Sequence, residues 1–165
     1  MGRRAGVRAT RVAFRLENRV PPPIIGACIA ALMYGAARLF PSLDFEMPGR
    51  LPVCALLFVL GAALDVAGLI HFLRARTTVN PLDPTTTTSL VTGGLYRFTR
   101  NPMYLGFALL LLAWGLFLAN VAALLGVPAF IVYMNRFQIV PEERALEARF
   151  GDEYSRYCAR VRRWI

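Results

Sequence analysis

The chain has 165 residues, 56% of them hydrophobic and 18% charged, with a mean hydropathy of +0.48. A soluble domain carries roughly 25% charged residues, so this balance argues against a water-soluble globule and for one membrane-embedded unit. The net charge of +9 comes from nineteen arginines and no lysine, and these flank long apolar runs. That distribution implies anionic lipid headgroups as partners and no nucleic acid.

Residues 1–20 read as a basic N-terminal arm, with Arg3, Arg4, Arg8, Arg11, Arg15 and Arg19 against the single acid Glu17, closed by Pro21, Pro22 and Pro23. Residues 24–40 form an apolar run about 17 residues long, the lower limit for a transmembrane helix. It reads as a retained span rather than a signal peptide, because no small-residue cleavage site follows it. A connector from Pro41 to Arg50 leads to a second span, 51–73, closed by Arg74 and Arg76. Residues 77–100 are rich in loop formers, including Asn80-Pro81, Asp83-Pro84, a Thr-Thr-Thr-Thr-Ser run and Gly93-Gly94. A loop longer than about 15 residues in so small a chain has a job. Two more spans, 102–119 and 121–140, are separated only around Asn120, which predicts a tight antiparallel hairpin with a kink at Pro128. Residues 141–165 form a polar tail of helical pattern, broken once at Gly151.

The fold class is therefore all-α: a polytopic membrane protein with about four transmembrane helices plus a C-terminal amphipathic cytoplasmic helix. The arm and the 77–100 loop are basic, whereas the Pro41–Arg50 connector is acidic. By the positive-inside rule both termini and the long loop are cytoplasmic, in a multi-pass protein of a bacterial inner membrane. Cys28, Cys54 and Cys158 form no CxxC pair, so neither a disulfide nor a metal site is expected.

Chemistry concentrates where the third span begins. Asn101-Pro102 is a favoured helix start, with Asn as N-cap and Pro at the first position. With Arg97 and Arg100 just before it, this helix end suits a carboxylate or phosphate, although the arginines could equally anchor the helix at the headgroups. A hairpin of matched spans brings Arg100 to Tyr104 alongside Asn135 to Glu143. Asn135, Gln138 and Glu142 then share one face, provided the helix runs on past Pro141. Glu142 and Glu143 could also be a simple helix-start pair. In the second span Asp65 lies on a stripe with Gly61 and Gly68, facing the bundle rather than lipid, where it reads as a structural hydrogen bond to a neighbouring helix ahead of a catalytic group. His71 reads as an interface residue. In the tail, Tyr154, Tyr157, Val161 and Trp164 fall on one helical face and Arg156, Arg160 and Arg163 on the other. That pattern describes an amphipathic helix in the headgroup plane, acting as an anchor or a lid.

The stretch Gly94-Leu95-Tyr96-Arg97-Phe98-Thr99-Arg100-Asn101-Pro102-Met103-Tyr104-Leu105-Gly106 resembles the G-x-Y-x-x-x-R-[HN]-P-x-Y-x-G signature of integral-membrane methyltransferases, the isoprenylcysteine carboxyl methyltransferase and phospholipid N-methyltransferase type. Glu142-Glu143-Arg144-Ala145-Leu146, Phe150 to Tyr157, and Val161-Arg162-Arg163-Trp164 are similar to that family's E-E-x-x-L, F-G-x-x-Y-x-x-Y and closing V-x-R elements. The resemblance covers roughly residues 90–165. It implies an enzyme dependent on S-adenosylmethionine, with the cofactor held at the cytoplasmic surface between the last two spans and a covering tail. The acceptor would be a membrane lipid or a prenylated molecule entering from the bilayer. By matching positions Arg100, Asn101, Pro102, Tyr104 and Gly106 would line the cofactor pocket, and Glu142 and Glu143 would hold its ammonium or ribose hydroxyls. Tyr96, Asn135, Gln138 and Tyr154 complete the candidate set. Asn101 stands where many members carry histidine, which excludes a titrating role there.

A carboxylate acceptor would need only a cation such as Arg97 or Arg100 to orient it. An amine acceptor would need a base, for which Glu142, Glu143 or Asp65 are candidates. The catalytic expectation rests on Arg97, Arg100 and Glu143. No strand followed by G-x-G-x-x-G is present, so the soluble nucleotide-binding fold is not in play. Two other readings stand beside this one: a membrane reductase of the sterol or steroid type using NADPH, and a non-catalytic membrane protein.

Overall fold

The structure, a computed structural model, describes residues 20–74 and 90–165, with side chains described for all of these except 72–74. Residues 1–19 of the basic arm, and 75–89 with Arg76 and most of the long loop, lie outside the described residues. Helix α1 spans Pro22–Leu39 and opens on the proline run itself, because a proline in the first turn needs no N–H partner and its φ is already helical. The following turn, Pro41–Leu43, leads through Gly49, at φ +73°, to α2, Arg50–Arg74. A short 3-10 turn, Gly94–Arg97, precedes α3, Pro102–Leu118. The chain then turns back into α4, Val121–Leu124, and α5, Gly126–Met134. A π-helical turn, Asn135–Ile139, joins α5 to α6, Val140–Phe150, and α7, Asp152–Arg160, lies beyond Gly151. Among the described residues there is no strand, only one isolated bridge between Asp44 and Asn120.

Three helical stretches, Pro22–Leu39, Arg50–His71 and Val121–Phe150, are long and apolar enough to cross a bilayer, and α3 is an apolar helix of 17 residues. The surface is inverted relative to a soluble protein. Leu32, Leu39, Leu56, Phe58, Val59, Val66 and Val132 are exposed, as helices solvated by lipid require. The buried core is narrower: Met33 of α1, Ala108 and Leu111 of α3, Ala123 of α4, Phe130 and Met134 of α5, and Ile139. Trp114 of α3 also donates its indole N–H to the Ala30 carbonyl of α1 at 3.0 Å.

Helices α2 and α3 meet through glycine. A Cβ at Gly61 would lie 2.8 Å from the Gly106 carbonyl oxygen, and one at Gly106 would lie 2.7 Å from that of Gly61. Gly68 faces Met103 in the same seam, so the Gly61–Asp65–Gly68 stripe faces the bundle as the sequence suggested.

The hairpin turns where expected, and Asn120 explains how. Its Oδ1 accepts the Ala123 N–H at 3.1 Å, capping α4. Its Nδ2 donates to the Phe40 carbonyl at 2.8 Å and to Asp44 Oδ1 at 2.7 Å. This fully buried amide thus ties the first connector to the hairpin. Ala119 beside it adopts φ +52°, a conformation costly for a residue with a Cβ, and is held by the Phe45 N–H on its carbonyl at 2.9 Å. The fourth span is interrupted at Leu125, where Pro128 has no N–H to give the Leu124 carbonyl.

Candidate functional site

Where α3 begins and the π turn passes into α6, the structure gathers most of the polar groups that the sequence singled out. The π turn falls just before Pro141, which has no N–H for the Phe137 carbonyl; the wider turn absorbs that loss and the helix continues. Gln138 and Glu142 therefore remain neighbours. Glu142 Oε1 accepts from Gln138 Nε2 at 2.7 Å and from the Tyr104 hydroxyl of α3 at 2.6 Å. The other carboxylate, Glu143, pairs with arginine on both sides. Arg100 Nη1 lies 3.2 Å from its Oε1, and Arg163 grips it with two bonds, Nε to Oε1 at 3.0 Å and Nη2 to Oε2 at 2.6 Å. Such a fork-to-carboxylate pair is directional as well as strong, and Glu143 holds the Arg163 guanidinium above its ordinary pKa.

The tail departs from its helical pattern at this point. Helix α7 stops at Arg160 and Val161 is extended, at φ −125° and ψ 129°. The sequence periodicity put Arg163 on the outer face with Arg156 and Arg160; instead the chain folds back and lays residues 161–165 across the start of α3. Arg100 N–H donates to the Arg162 carbonyl at 3.0 Å. The Arg163 carbonyl accepts from Asn101 Nδ2 at 2.9 Å and from Thr99 Oγ1 at 3.3 Å. Trp164 Nε1 donates to Asn135 Oδ1 at 3.1 Å. The strap thus closes on motif residues at one edge and on the π turn at the other.

Asn101 occupies the N-cap position of α3, but its side chain makes no cap bond, which corrects the sequence expectation. The strap carbonyl captures its amide instead.

The apolar side of α7 packs within the protein rather than against lipid. Tyr154, Tyr157 and Val161 are buried against Tyr96 of the 3-10 turn, and the Tyr157 hydroxyl donates to the Tyr96 carbonyl at 2.7 Å. Burial pushes the Tyr157 phenol up to about 12 and raises Tyr96 and Tyr154 as well. Cys158, given no role from sequence, accepts from Arg100 Nη1 at 2.6 Å and shares a hydrogen bond with Tyr154. Thr99 and Arg163 were also missed. Thr99 carries no distinctive spacing, and Arg163 was assigned to the wrong side by a periodicity that the backbone abandons.

Two candidates lie apart. Arg97 is exposed on the 3-10 turn, outside the cluster. Gly106 faces α2, where a Cβ would meet the Asp65 carboxyl, so it admits a neighbouring helix. Pro102 is fully buried at the first position of α3.

The cluster suits a small molecule carrying both an ammonium and a carboxylate. Glu142 and Glu143 supply acceptors. Arg100 supplies a cation whose Nε is buried without a hydrogen-bond partner. Orphaned buried donors are rare enough to point to a missing acceptor. Among the described residues no group of three or more His, Cys, Asp or Glu is arranged to hold a metal ion.

A family model described as phospholipid methyltransferase matches residues 50–153. The chain is also similar to an uncharacterized protein of Haemophilus influenzae, 57% identical over 63 residues, which make up 38% of this chain and 100% of that protein. No solved structure matches it.

Proposed function

The chain belongs to the phospholipid methyltransferase family, and from that premise we propose that it transfers a methyl group from S-adenosylmethionine to a lipid-like or prenylated acceptor at the cytoplasmic membrane surface. One observation supports the reading above the others. Arg100 of the 94–106 motif and Glu143 of the acidic pair, 43 positions apart in sequence, are in contact at 3.2 Å beneath a strap formed by the chain's last residues.

S-adenosylmethionine, when bound, supplies an electrophilic methyl on a sulfonium, and what remains for the protein is alignment and exclusion of water. Glu142, presented by Tyr104 and Gln138, is placed to receive the cofactor's ammonium. Arg100, with an unsatisfied Nε, is placed to receive its carboxylate. The strap, closed by Arg163 on Glu143 and by Trp164 on Asn135, keeps water from the reacting centre. Tyr96 and Tyr154 wall the site from the tail side. Both termini and the strap lie on the cytoplasmic side in this reading, with the acceptor entering from the bilayer.

The test is transfer of labelled methyl to fractionated membrane lipids by detergent-purified protein. Label should move into an organic-extractable product with wild type, and both Glu142→Ala and Arg100→Ala should lose at least 100-fold of the rate while melting as wild type does. Undiminished transfer in both variants would refute the site.

A further inference from the structure

We propose that Arg163 is a positioning residue for the cofactor: its two-bond fork on Glu143 occupies that carboxylate and leaves the Arg100 cation free for a ligand carboxylate. The inference rests on the methyltransferase reading above and deepens it, because a residue of the strap then decides how the cofactor's amino-acid end is read.

The difficulty it resolves lies in the sequence. Glu142 and Glu143 are adjacent, and both approach the start of α3, where Arg100 stands. Glu142 is already oriented by the Tyr104 hydroxyl and by Gln138. Glu143 is the competitor. Its side chain is 19% exposed and that of Arg100 16%, so solvent screens their attraction little. A carboxylate left unpaired there would capture Arg100, and a ligand carboxylate would have to displace it.

The strap removes that competition. Helix α7 ends at Arg160, and the extended backbone at Val161 brings Arg163 back to Glu143. Arg163 Nε and Nη2 take one carboxylate oxygen each, at 3.0 and 2.6 Å, whereas Arg100 offers Nη1 alone, at 3.2 Å. A guanidinium that meets both oxygens holds a carboxylate better than one that meets a single oxygen. Arg100 is therefore the looser partner of Glu143. Its Nη1 also reaches Cys158 Sγ at 2.6 Å, and its buried Nε has no partner.

The charges agree with this division. Glu143 and Arg163 cancel one another, which leaves Glu142 negative and Arg100 positive. That pair complements an ammonium and a carboxylate carried on one carbon. Without Arg163 the same group is net negative, and a ligand carboxylate is opposed. Access is through the strap itself, whose other ties to the start of α3 are main-chain carbonyls.

Full-length protein in detergent is titrated with two probes, S-adenosylhomocysteine and 5′-methylthioadenosine. The second keeps the adenosine and the thioether but lacks the ammonium and the carboxylate. The ratio of the two affinities is the readout, because a strap that merely loosens weakens both alike. In Arg163→Ala the preference for S-adenosylhomocysteine should fall by about 10-fold or more. Adding Glu143→Gln removes the competing charge and should return the preference to within threefold of wild type, although the strap stays loose. Arg163→Lys, which keeps the charge, should recover most of it. An unchanged ratio in Arg163→Ala would overturn the proposal. So would a double variant that stays as poor as Arg163→Ala, which would mark Arg163 as a fastener of the strap and no more. Wild type that binds both probes equally well would overturn the assignment of Arg100 to a carboxylate. Failure of wild type to bind either probe would instead overturn the methyltransferase reading.

Discussion

Replacing Arg163 with alanine should loosen the strap without unfolding the bundle. The variant removes two charge-assisted bonds to Glu143, at 3.0 and 2.6 Å. Such bonds contribute about 1.5–3 kcal/mol, but the Arg163 side chain is 36% exposed, and solvent screening brings the pair down to about 1–2 kcal/mol. The remaining ties survive, because the Arg162 and Arg163 carbonyls that accept from Arg100 N–H, Asn101 and Thr99 belong to the backbone. Glu143 also keeps Arg100 as partner. The opening equilibrium should therefore shift by about 5- to 30-fold. Amide hydrogen exchange reads this directly, since Arg100 N–H is protected by the Arg162 carbonyl across the strap. Its exchange should accelerate by that factor, with amides in the middle of α3 unchanged. An Arg100 amide within twofold of wild type, or equal acceleration throughout α3, would show that the Arg163–Glu143 pair does not hold the strap closed.

Three further outcomes follow from the packing. Gly106→Ala puts a methyl against the Asp65 carboxyl and 2.7 Å from the Gly61 carbonyl oxygen; the backbone oxygen cannot swing aside, so α2 and α3 must part at a cost of about 1–3 kcal/mol. The melting temperature in detergent should fall, and adding Asp65→Gly should not restore it. Asn120→Ala removes a helix cap and two buried donor bonds, a loss of about 2–3 kcal/mol. It should lower the melting temperature while leaving S-adenosylhomocysteine affinity intact, because the defect lies at the far end of α3. Tyr157 ionises at about 12 in the folded chain against about 10 when unfolded. Its contribution is complete below pH 10 and is lost as pH rises towards 12. Spectrophotometric titration should show a late tyrosinate step that Tyr157→Phe removes.

Much of the architecture was legible because lipid imposes a simple code. Apolar runs located the helices Pro22–Leu39, Arg50–Arg74 and Pro102–Leu118 to within two residues, whereas the run expected to end at 140 continues as a helical stretch to Phe150; Asn120 marked the turn, and the glycine spacing around Asp65 told which way that acid faces. The proximity of Arg100 and Tyr104 to Glu142 and Glu143 was legible, but their wiring was not. Asn101 has the right type and position for a cap, yet a carbonyl more than 60 residues away competes for its amide and wins. Nothing in the identity of Asn135 to Ile139 announces a π turn; only Pro141 downstream hints that the ladder must adjust. The pattern Tyr154, Tyr157, Val161, Trp164 continues at helical spacing past the point where the backbone leaves the helix. A periodicity argument cannot detect that exit, because Val161 and Trp164 are buried or bonded for tertiary reasons after it.

Whether the cluster beneath the strap holds S-adenosylmethionine is tested by calorimetric titration of the detergent-purified protein with S-adenosylhomocysteine, with NADPH titrated in parallel. Saturable binding of S-adenosylhomocysteine alone, abolished in Glu142→Ala, is the predicted result. Binding of NADPH alone, or of neither compound, would contradict the assignment of this site to methyl transfer.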